Sequence, residues 1–571
     1  MKTLTISLFC ILSTVFLCAQ TVIEHPDYDT KNSSFPEIIK IEHHPHKSIL
    51  YFKITAGTGG WVRINQDMFI QDSEKGSQEI MTTKMIGGEF GKQIDFPLTG
   101  TGDTILGFEY PPIPKEWKKM DWKSHSEGSW AIYGIALDGA KNHDIRIQEL
   151  LNNKDWLALD SEYNKYKSRI KNNSLKDFSE VMLNLCFNHP KRAMDVMDAI
   201  MAHSQTEIGL NSLLELTKIY LHTNFNNGNY NRAYEVSNSM LKSAIENQLP
   251  QEIIQNLTIA ETLYSKFKDL KPLEIIRPNK NIEVPMGIAT ITFNEKDDSN
   301  GIEHVTEKNI PVIKVTINGK ESVFLFDTGF ESTTVFENVA EELKLQTIVD
   351  SIAVVGIGSQ AGTLALLDSL SLGELIFKNI LVATTKNFFV EGGIDLAAMG
   401  IAGILGLDLM RKINEIQTIK KPDGKYGMFI PFNQSALPES GKNIYIDDNK
   451  LYISTKLDSK SSVFHFDTGN SSTHLTKEYY EKHKTWMDEN LEKQCACHFG
   501  VGEADVKNLY ILPELNVNVA GVNFHKKDVN VYTEDVFLTP ERSEGSLGAD
   551  FLLNYNKVIL NFDQMFVKAG E

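Results

Sequence analysis

The sequence predicts a multidomain chain: an N-terminal all-β sandwich-like domain, an α-helical repeat-like domain, and a C-terminal all-β part made of two similar lobes. Three observations carry this. At 571 residues the chain is too long for one hydrophobic core. Its apolar residues change from strand-like to helical spacing near residue 146 and back near residue 288. One heptapeptide pattern also occurs twice, 140 positions apart, as Val323-Phe324-Leu325-Phe326-Asp327-Thr328-Gly329 and Val463-Phe464-His465-Phe466-Asp467-Thr468-Gly469. The expected boundaries are 1–20 for an export signal, 21–145 for the sandwich, 146–287 for the helices, 288–437 for the first lobe and 438–571 for the second.

In the first segment, Lys2 precedes an apolar stretch from Leu4 to Leu17, and Cys18-Ala19-Gln20 ends it in the manner of a secretory peptide. Cleavage after Ala19 or Gln20 and a periplasmic or secreted location are expected. Bulky Leu17 beside Cys18 argues against lipid attachment, and the stretch is short for a bilayer span. No later segment is apolar for long enough to cross a membrane. The composition, 42% hydrophobic and 23% charged, is that of a folded chain. A net charge of -18 without a basic stripe excludes a nucleic-acid partner. Cys186, Cys495 and Cys497 remain beyond the signal, too few for a disulfide framework. Cys495-Ala496-Cys497-His498 has no second ligand group at a supporting spacing, so no metal site is expected there. Two thiols on one strand face, or a local disulfide, fit it better.

Residues 21–145 hold short strand-like runs, Ile49 to Ile54 and Trp130 to Ala136 among them, punctuated by Gly57–Gly60, Gly87-Gly88 and Pro111–Pro114. His43, His44 and His46 read as loop histidines facing solvent. In 146–287, Leu175, Phe178, Val181, Met182 and Leu185 recur at helical spacing, with Ser174 and Asp177 as a capping pair. Pro190 suits the opening of the next helix. Apolar positions on either side of Asn227-Gly228-Asn229 suggest two helices joined by a glycine turn, a tetratricopeptide-like hairpin with a binding or spacing role.

The last half doubles on itself. Ile313 to Ile317, the turn Asn318-Gly319 and Val323 to Phe326 form a hairpin that delivers Asp327 into a tight loop. Leu451 to Leu457, a turn over 458–461, and Val463 to Phe466 deliver Asp467 in the same way. A second landmark follows in each copy, Gly403-Ile404-Leu405-Gly406-Leu407-Asp408 and Gly545-Ser546-Leu547-Gly548-Ala549-Asp550. Between the landmarks lie Gly356-Ile357-Gly358 and Gly500-Val501-Gly502, both suited to hairpin tips.

With these landmarks in one order, residues 300–571 resemble the pepsin-like and retropepsin-like aspartic protease superfamily, in a bilobal single-chain form with two Asp-Thr-Gly motifs. The resemblance implies a C-terminal bilobal aspartic-protease-like fold with Asp327 and Asp467 as the catalytic pair. Ile404-Leu405-Gly406 and Ser546-Leu547-Gly548 would support the two loops from beneath. Thr328 and Thr468 would tie the loops together, with Gly329, Gly469 and Asn470 beside them. Gly356-Ile357-Gly358 and Gly500-Val501-Gly502 become candidate flaps over a peptide. Two carboxylates held close retain one proton between them, so one can activate a water while the other polarises the scissile carbonyl.

The family usually places Ser, Thr or Ala after the glycine. This chain has Phe330, which carries no hydroxyl and can crowd the cleft, and Asn470, which can still donate a hydrogen bond. The expected function is an exported aspartic endopeptidase acting without cofactor or metal on peptide or protein substrate. One chain supplies both carboxylates, so a monomer is expected. The alternative is a catalytically weakened module that binds peptide or protein. His465 reads as a structural histidine, and Asp408 and Asp550 as loop or cap residues.

Overall fold

The computed structural model describes residues 21–570 except 34–35, 56–59, 77, 97–102, 127–128, 204–209, 297–302, 356–358, 387–395, 458, 501–502, 520 and 537–542. The proposed signal, 1–20, lies outside the described residues. The chain divides into two compact units, 1–176 and 177–571.

The first unit is β-rich, with two five-stranded antiparallel sheets among the described residues. One runs in the order Thr21–Glu24, Pro36–His44, Lys47–Thr55, Asp103–Tyr110, Lys84–Ile86. The other runs Thr30–Lys31, Ile132–Ala136, Lys119–Ser124, Met68–Asp72, Glu79–Met81. Alternate residues of both sheets meet in one core: Leu50, Phe52, Leu106 and Phe108 from the first, and Ile70, Met120, Trp122 and Ile132 from the second. Phe52 stacks on Trp122 at 4.2 Å, and the buried Trp122 indole donates to the Tyr110 hydroxyl at 2.9 Å. His43 and His44 end a strand rather than sitting in a loop, and His43 lies 3.3 Å from the Ser48 hydroxyl across the hairpin. The sheets give way to helices His143–Asn152 and Trp156–Tyr166.

Helix Asn173–Cys186 spans the division between units. Its start is capped by Asn172, whose side chain accepts the Leu175 N–H at 3.0 Å, ahead of the Ser174–Asp177 pair expected from sequence. Pro190 opens Pro190–His203, where its missing N–H costs nothing. Leu210–Asn226 and Tyr230–Glu246 pack as a hairpin around the turn at Gly228, followed by Gln251–Ser265. These helices are fastened to the β structure of the same unit. Asn188 donates through its amide to the carbonyls of Arg411 and Phe562, at 2.8 and 2.9 Å.

The C-terminal region has two β lobes built on a repeated strand arrangement. Its larger sheet has thirteen strands among the described residues and its smaller one eight. The larger contains the hairpin Glu303–Ile317 and Lys320–Phe326, turning at Asn318-Gly319 as expected. The smaller contains Lys450–Leu457 and Lys460–Phe466, whose turn is shorter than the sequence suggested, because pairing resumes at Lys460. In each lobe a short strand runs parallel to the one that delivers the aspartate, Ile401–Leu405 in the first and Gly545–Leu547 in the second. A third strand pairs with it in the antiparallel sense, Thr334–Phe336 and His474–Leu475 respectively. The last two strands of the chain, Lys557–Asn561 and Phe566–Gly570, join the larger sheet through Glu415–Lys420. Strands from both ends of the repeated half thus share one hydrogen-bonded platform.

Candidate active site

Asp327 and Asp467 each stand where a buried strand ends. Phe324 and Phe326 before one, and Phe464 and Phe466 before the other, are fully buried and fix the strand ends in place. The backbone N–H of Asp327 donates to Leu405 O at 3.2 Å, and that of Asp467 to Leu547 O at 2.9 Å, so the parallel partner strand sets where each loop begins.

The loops meet through their threonines. Thr328 N–H donates to Thr468 Oγ1 at 3.0 Å, and Thr468 N–H donates to Thr328 Oγ1 at 3.1 Å. The hydroxyls donate onward across the interface, Thr328 to Phe466 O at 2.6 Å and Thr468 to Phe326 O at 2.7 Å. Both threonines are fully buried, so every polar atom of this bridge has a protein partner in place of water.

The same closeness governs the glycines. A methyl group built on Gly329 would fall on the Asp467 carboxylate, and one built on Gly469 would fall on the Asp327 carboxylate. Each aspartate therefore sits against the opposite loop, and only glycine leaves room for it. Gly329 N–H donates to Asp327 Oδ1 at 2.9 Å, and Gly469 N–H to Asp467 Oδ1 at 3.0 Å. Burial first, and then the neighbouring Asp467 carboxylate, push the Asp327 carboxyl well above the usual carboxylate range, against an opposing pull from the Gly329 and Gly469 N–H groups.

The two loops differ at the next residue. Asn470 N–H gives Asp467 Oδ1 a further bond at 3.2 Å, while the Asn470 amide lies 2.8 Å from His474 Nδ1. Asn470 thus supports the carboxylate from its backbone, not from the side chain singled out in the sequence. Phe330 packs half-buried on an apolar cluster containing Leu325, Phe336, Ile401 and Ile404.

Of the candidate flap residues, Gly356, Ile357, Gly358, Val501 and Gly502 lie outside the described residues. The strands flanking them are antiparallel pairs, with Val355 opposite Ser359 and Gly500 opposite Glu503. Cys495 is a free, exposed thiol on the strand Lys493–Gly500. Among the described residues no group of three or more His, Cys, Asp or Glu is placed to hold a metal ion, and no helix is long and apolar enough to cross a membrane.

A second repeated contact was not read from the sequence as part of the site. Asp408 Oδ1 accepts the Thr333 N–H at 2.8 Å and its hydroxyl at 2.7 Å, and Thr333 Oγ1 accepts the Gly406 N–H at 3.2 Å. In the other lobe Asp550 Oδ1 accepts the Thr473 N–H at 2.9 Å and its hydroxyl at 2.7 Å, while Thr473 Oγ1 accepts the Gly548 N–H at 3.0 Å. Each aspartate locks the end of its loop to the glycine segment beneath. The signal was present: a threonine stands six residues after each Asp-Thr-Gly aspartate, and an aspartate two residues after each lower glycine.

A family model described as aspartyl protease matches residues 313–409. That stretch contains the Asp327 loop and its Gly406 support, and it is a minority of the chain. No curated protein sequence matches. Among solved structures the chain is similar to basic 7S globulin from soybean, with 12% identity over 51% of this chain and 94% of that one and a TM-score of 0.30. It is likewise similar to conglutin gamma from lupine seeds, at 11% identity over 50% and 94%, TM-score 0.30. A retropepsin-like aspartic protease from Rickettsia conorii matches at 16% identity over 26% of this chain and 94% of that one, TM-score 0.15.

Proposed function

We propose that the C-terminal region binds an extended peptide segment between its lobes and hydrolyses it with the Asp327–Asp467 pair. The observation that carries this reading is the reciprocal seating of each carboxylate against the other loop's glycine, with the Asp327 carboxyl pushed above its usual range by burial and by its neighbour. Such a pair holds one proton. Its ionised member draws a proton from an attacking water while its protonated member polarises the scissile carbonyl, and the tetrahedral diol then collapses as the leaving nitrogen is protonated. From the apolar stretch Leu4 to Leu17 behind Lys2, we further propose that this activity is exported from the cytoplasm. N-terminal sequencing of protein recovered from cells, expected to start after Ala19 or Gln20, tests that part.

The hydrolase reading is tested with the mature protein, a diverse peptide library and a pH series from acidic to neutral. Cleavage is expected, with Asp327→Asn and Asp467→Asn each lowering it by about 10²–10⁴-fold. A wild-type protein that cleaves nothing across that series overturns it.

One observation favours a second reading, peptide binding without turnover. From its own loop the Asp467 carboxylate receives two N–H groups, those of Gly469 and Asn470, whereas Asp327 receives from its own loop that of Gly329, with Phe330 following. Saturable peptide binding that survives in Asp327→Asn, with no product from the wild type, would establish this reading instead.

A further inference from the structure

The two lobes repeat each other in backbone but not in the chemistry of one cross-strand row. In the first lobe the strand register aligns Val312 with Leu325, Leu325 with Ile404, and Ile404 with Thr334. In the second the same register aligns Tyr452 with His465, His465 with Ser546, and Ser546 with His474. Register partners project from one face of a sheet, so each set forms a continuous row. His465 lies two residues before Asp467, and Leu325 two before Asp327, which puts each row on the side from which the carboxylate projects.

Thr334, at the end of the first row, is buried but outside the apolar cluster to which Val312, Leu325 and Ile404 belong; that cluster also takes in Phe330, Phe336 and Ile401, together with Ile352 and Val354 of the strand Gln346–Val355. That strand leads directly to the candidate flap residues 356–358, so the row lies between the aspartate loop and that arm. In the second lobe the corresponding positions are His465, Ser546, Asn470, Thr476 and Ser543. His465 is 3% exposed, Ser546 0% and His474 3%, so this polar set is as buried as its apolar counterpart. The hydroxyls of Ser543 and Ser546 have no hydrogen-bond partner among the described residues. Burying a hydroxyl without a partner costs free energy, and the chain's own first lobe shows that this backbone accepts Leu and Ile at these positions. Asn470, half-buried and 2.8 Å from His474 through its amide, links the row to the surface beside Asp467.

We propose that this wall of the second lobe selects a polar, oxygen-bearing side chain, a carboxamide or a carboxylate, on one side of the bound peptide's central bond, while the first lobe's wall takes an apolar side chain on the other. His465, Ser546 and Asn470 are the specificity-determining residues. The proposal rests on the peptide-cleft reading given above and adds the substrate class to it.

The test uses a peptide series with the central pairs Leu-Leu, Leu-Gln, Gln-Leu, Leu-Glu and Glu-Leu, each made both cleavable and with a reduced, uncleavable bond. One mixed order is expected to exceed Leu-Leu by at least about tenfold, in kcat/KM for the cleavable set and in affinity for the uncleavable set. The Gln and Glu arms distinguish carboxamide from carboxylate. The double variant His465→Leu/Ser546→Ile, which installs the first lobe's residues, is expected to reverse the preference toward Leu-Leu. The conservative His465→Gln should retain the wild-type order and controls for loss of fold. Polar preference in binding without cleavage removes the hydrolase reading and leaves this proposal standing. Cleavage with Leu-Leu preferred, an unchanged preference in a folded double variant, or no binding of any member overturns it.

Discussion

Thr328 and Thr468 hold each other in both directions: each gives its N–H to the other's hydroxyl oxygen and its hydroxyl proton to a carbonyl of the opposite strand. Two bonds between these fully buried residues and two more to the carbonyls of Phe466 and Phe326 make the contact the point at which the lobes are held in register. Thr328→Val or Thr468→Val keeps the volume and deletes the hydroxyl, leaving an N–H and a carbonyl of the opposite loop unsatisfied. Each variant should lose about 1–3 kcal/mol in chemical denaturation. Because both remove parts of the same bridge, the double variant should lose clearly less than the sum. Full additivity would show that the two halves act independently.

Gly329 and Gly469 make a sharper prediction about position. A methyl group at either overlaps the opposite carboxylate, so Gly469→Ala displaces Asp327 and Gly329→Ala displaces Asp467. If the pair performs the proposed hydrolysis, a shift of about 1 Å costs roughly 100-fold in kcat/KM. Cleavage assays on each purified variant, with circular dichroism to establish the fold, check this; near wild-type turnover would mean that the carboxylates do not act as a pair.

Asp327 also predicts a pH signature in stability that needs no substrate. Its carboxyl titrates higher in the folded chain than in the unfolded one, because of burial and then the charge of Asp467. Between the two values the folded chain keeps a proton that the unfolded chain has released, so stability falls as pH rises through that window. Asp327→Asn does not titrate and escapes this loss. Melting curves from about pH 4 to about pH 8 should show similar wild-type and variant stabilities at the acidic end. The variant should gain steadily on the wild type as pH rises. Parallel curves would mean that Asp327 titrates normally.

Much of this site is legible in the sequence because its information is local. A strand of alternating buried phenylalanines, a turn and Asp-Thr-Gly lie within one short stretch, and they occur twice. What escapes a linear reading joins distant residues. Thr333 and Asp408 lie 75 positions apart, and neither is unusual until the glycine segment folds beneath the loop. The pairing of Lys557–Asn561 with Glu415–Lys420 is more distant still, so the sequence shows the strands but not the sheet they join. The cap at Asn172 was displaced to Ser174 because both residue types cap helices and only the observed bond to Leu175 separates them. His465 stands out singly in the sequence; the register sets it beside Ser546, at the positions that Leu325 and Ile404 hold in the other lobe.

The two loop locks differ in a way that predicts unequal responses to the same substitution. Asp550 Oδ1 holds Thr473 while Oδ2 accepts the Lys526 ammonium at 2.6 Å, and both side chains are largely shielded. Asp408 holds Thr333 in the same manner, but burial raises its carboxyl above the usual range, opposed by the Thr333 hydroxyl and the Lys412 charge. Asparagine can still accept the threonine hydrogen bonds in both places. Asp408→Asn removes a charge that its surroundings disfavour, so its stability should stay within about 1 kcal/mol of wild type. Asp550→Asn takes the anion from a shielded lysine and should cost about 1–3 kcal/mol, with the loss shrinking as salt is raised. Adding Lys526→Met to Asp550→Asn removes the stranded charge and should restore part of the loss. Urea titrations of the two single variants and the double variant measure this. Equal losses at Asp408 and Asp550 would mean that the lock, and not the ion pair, sets the energy of the second loop.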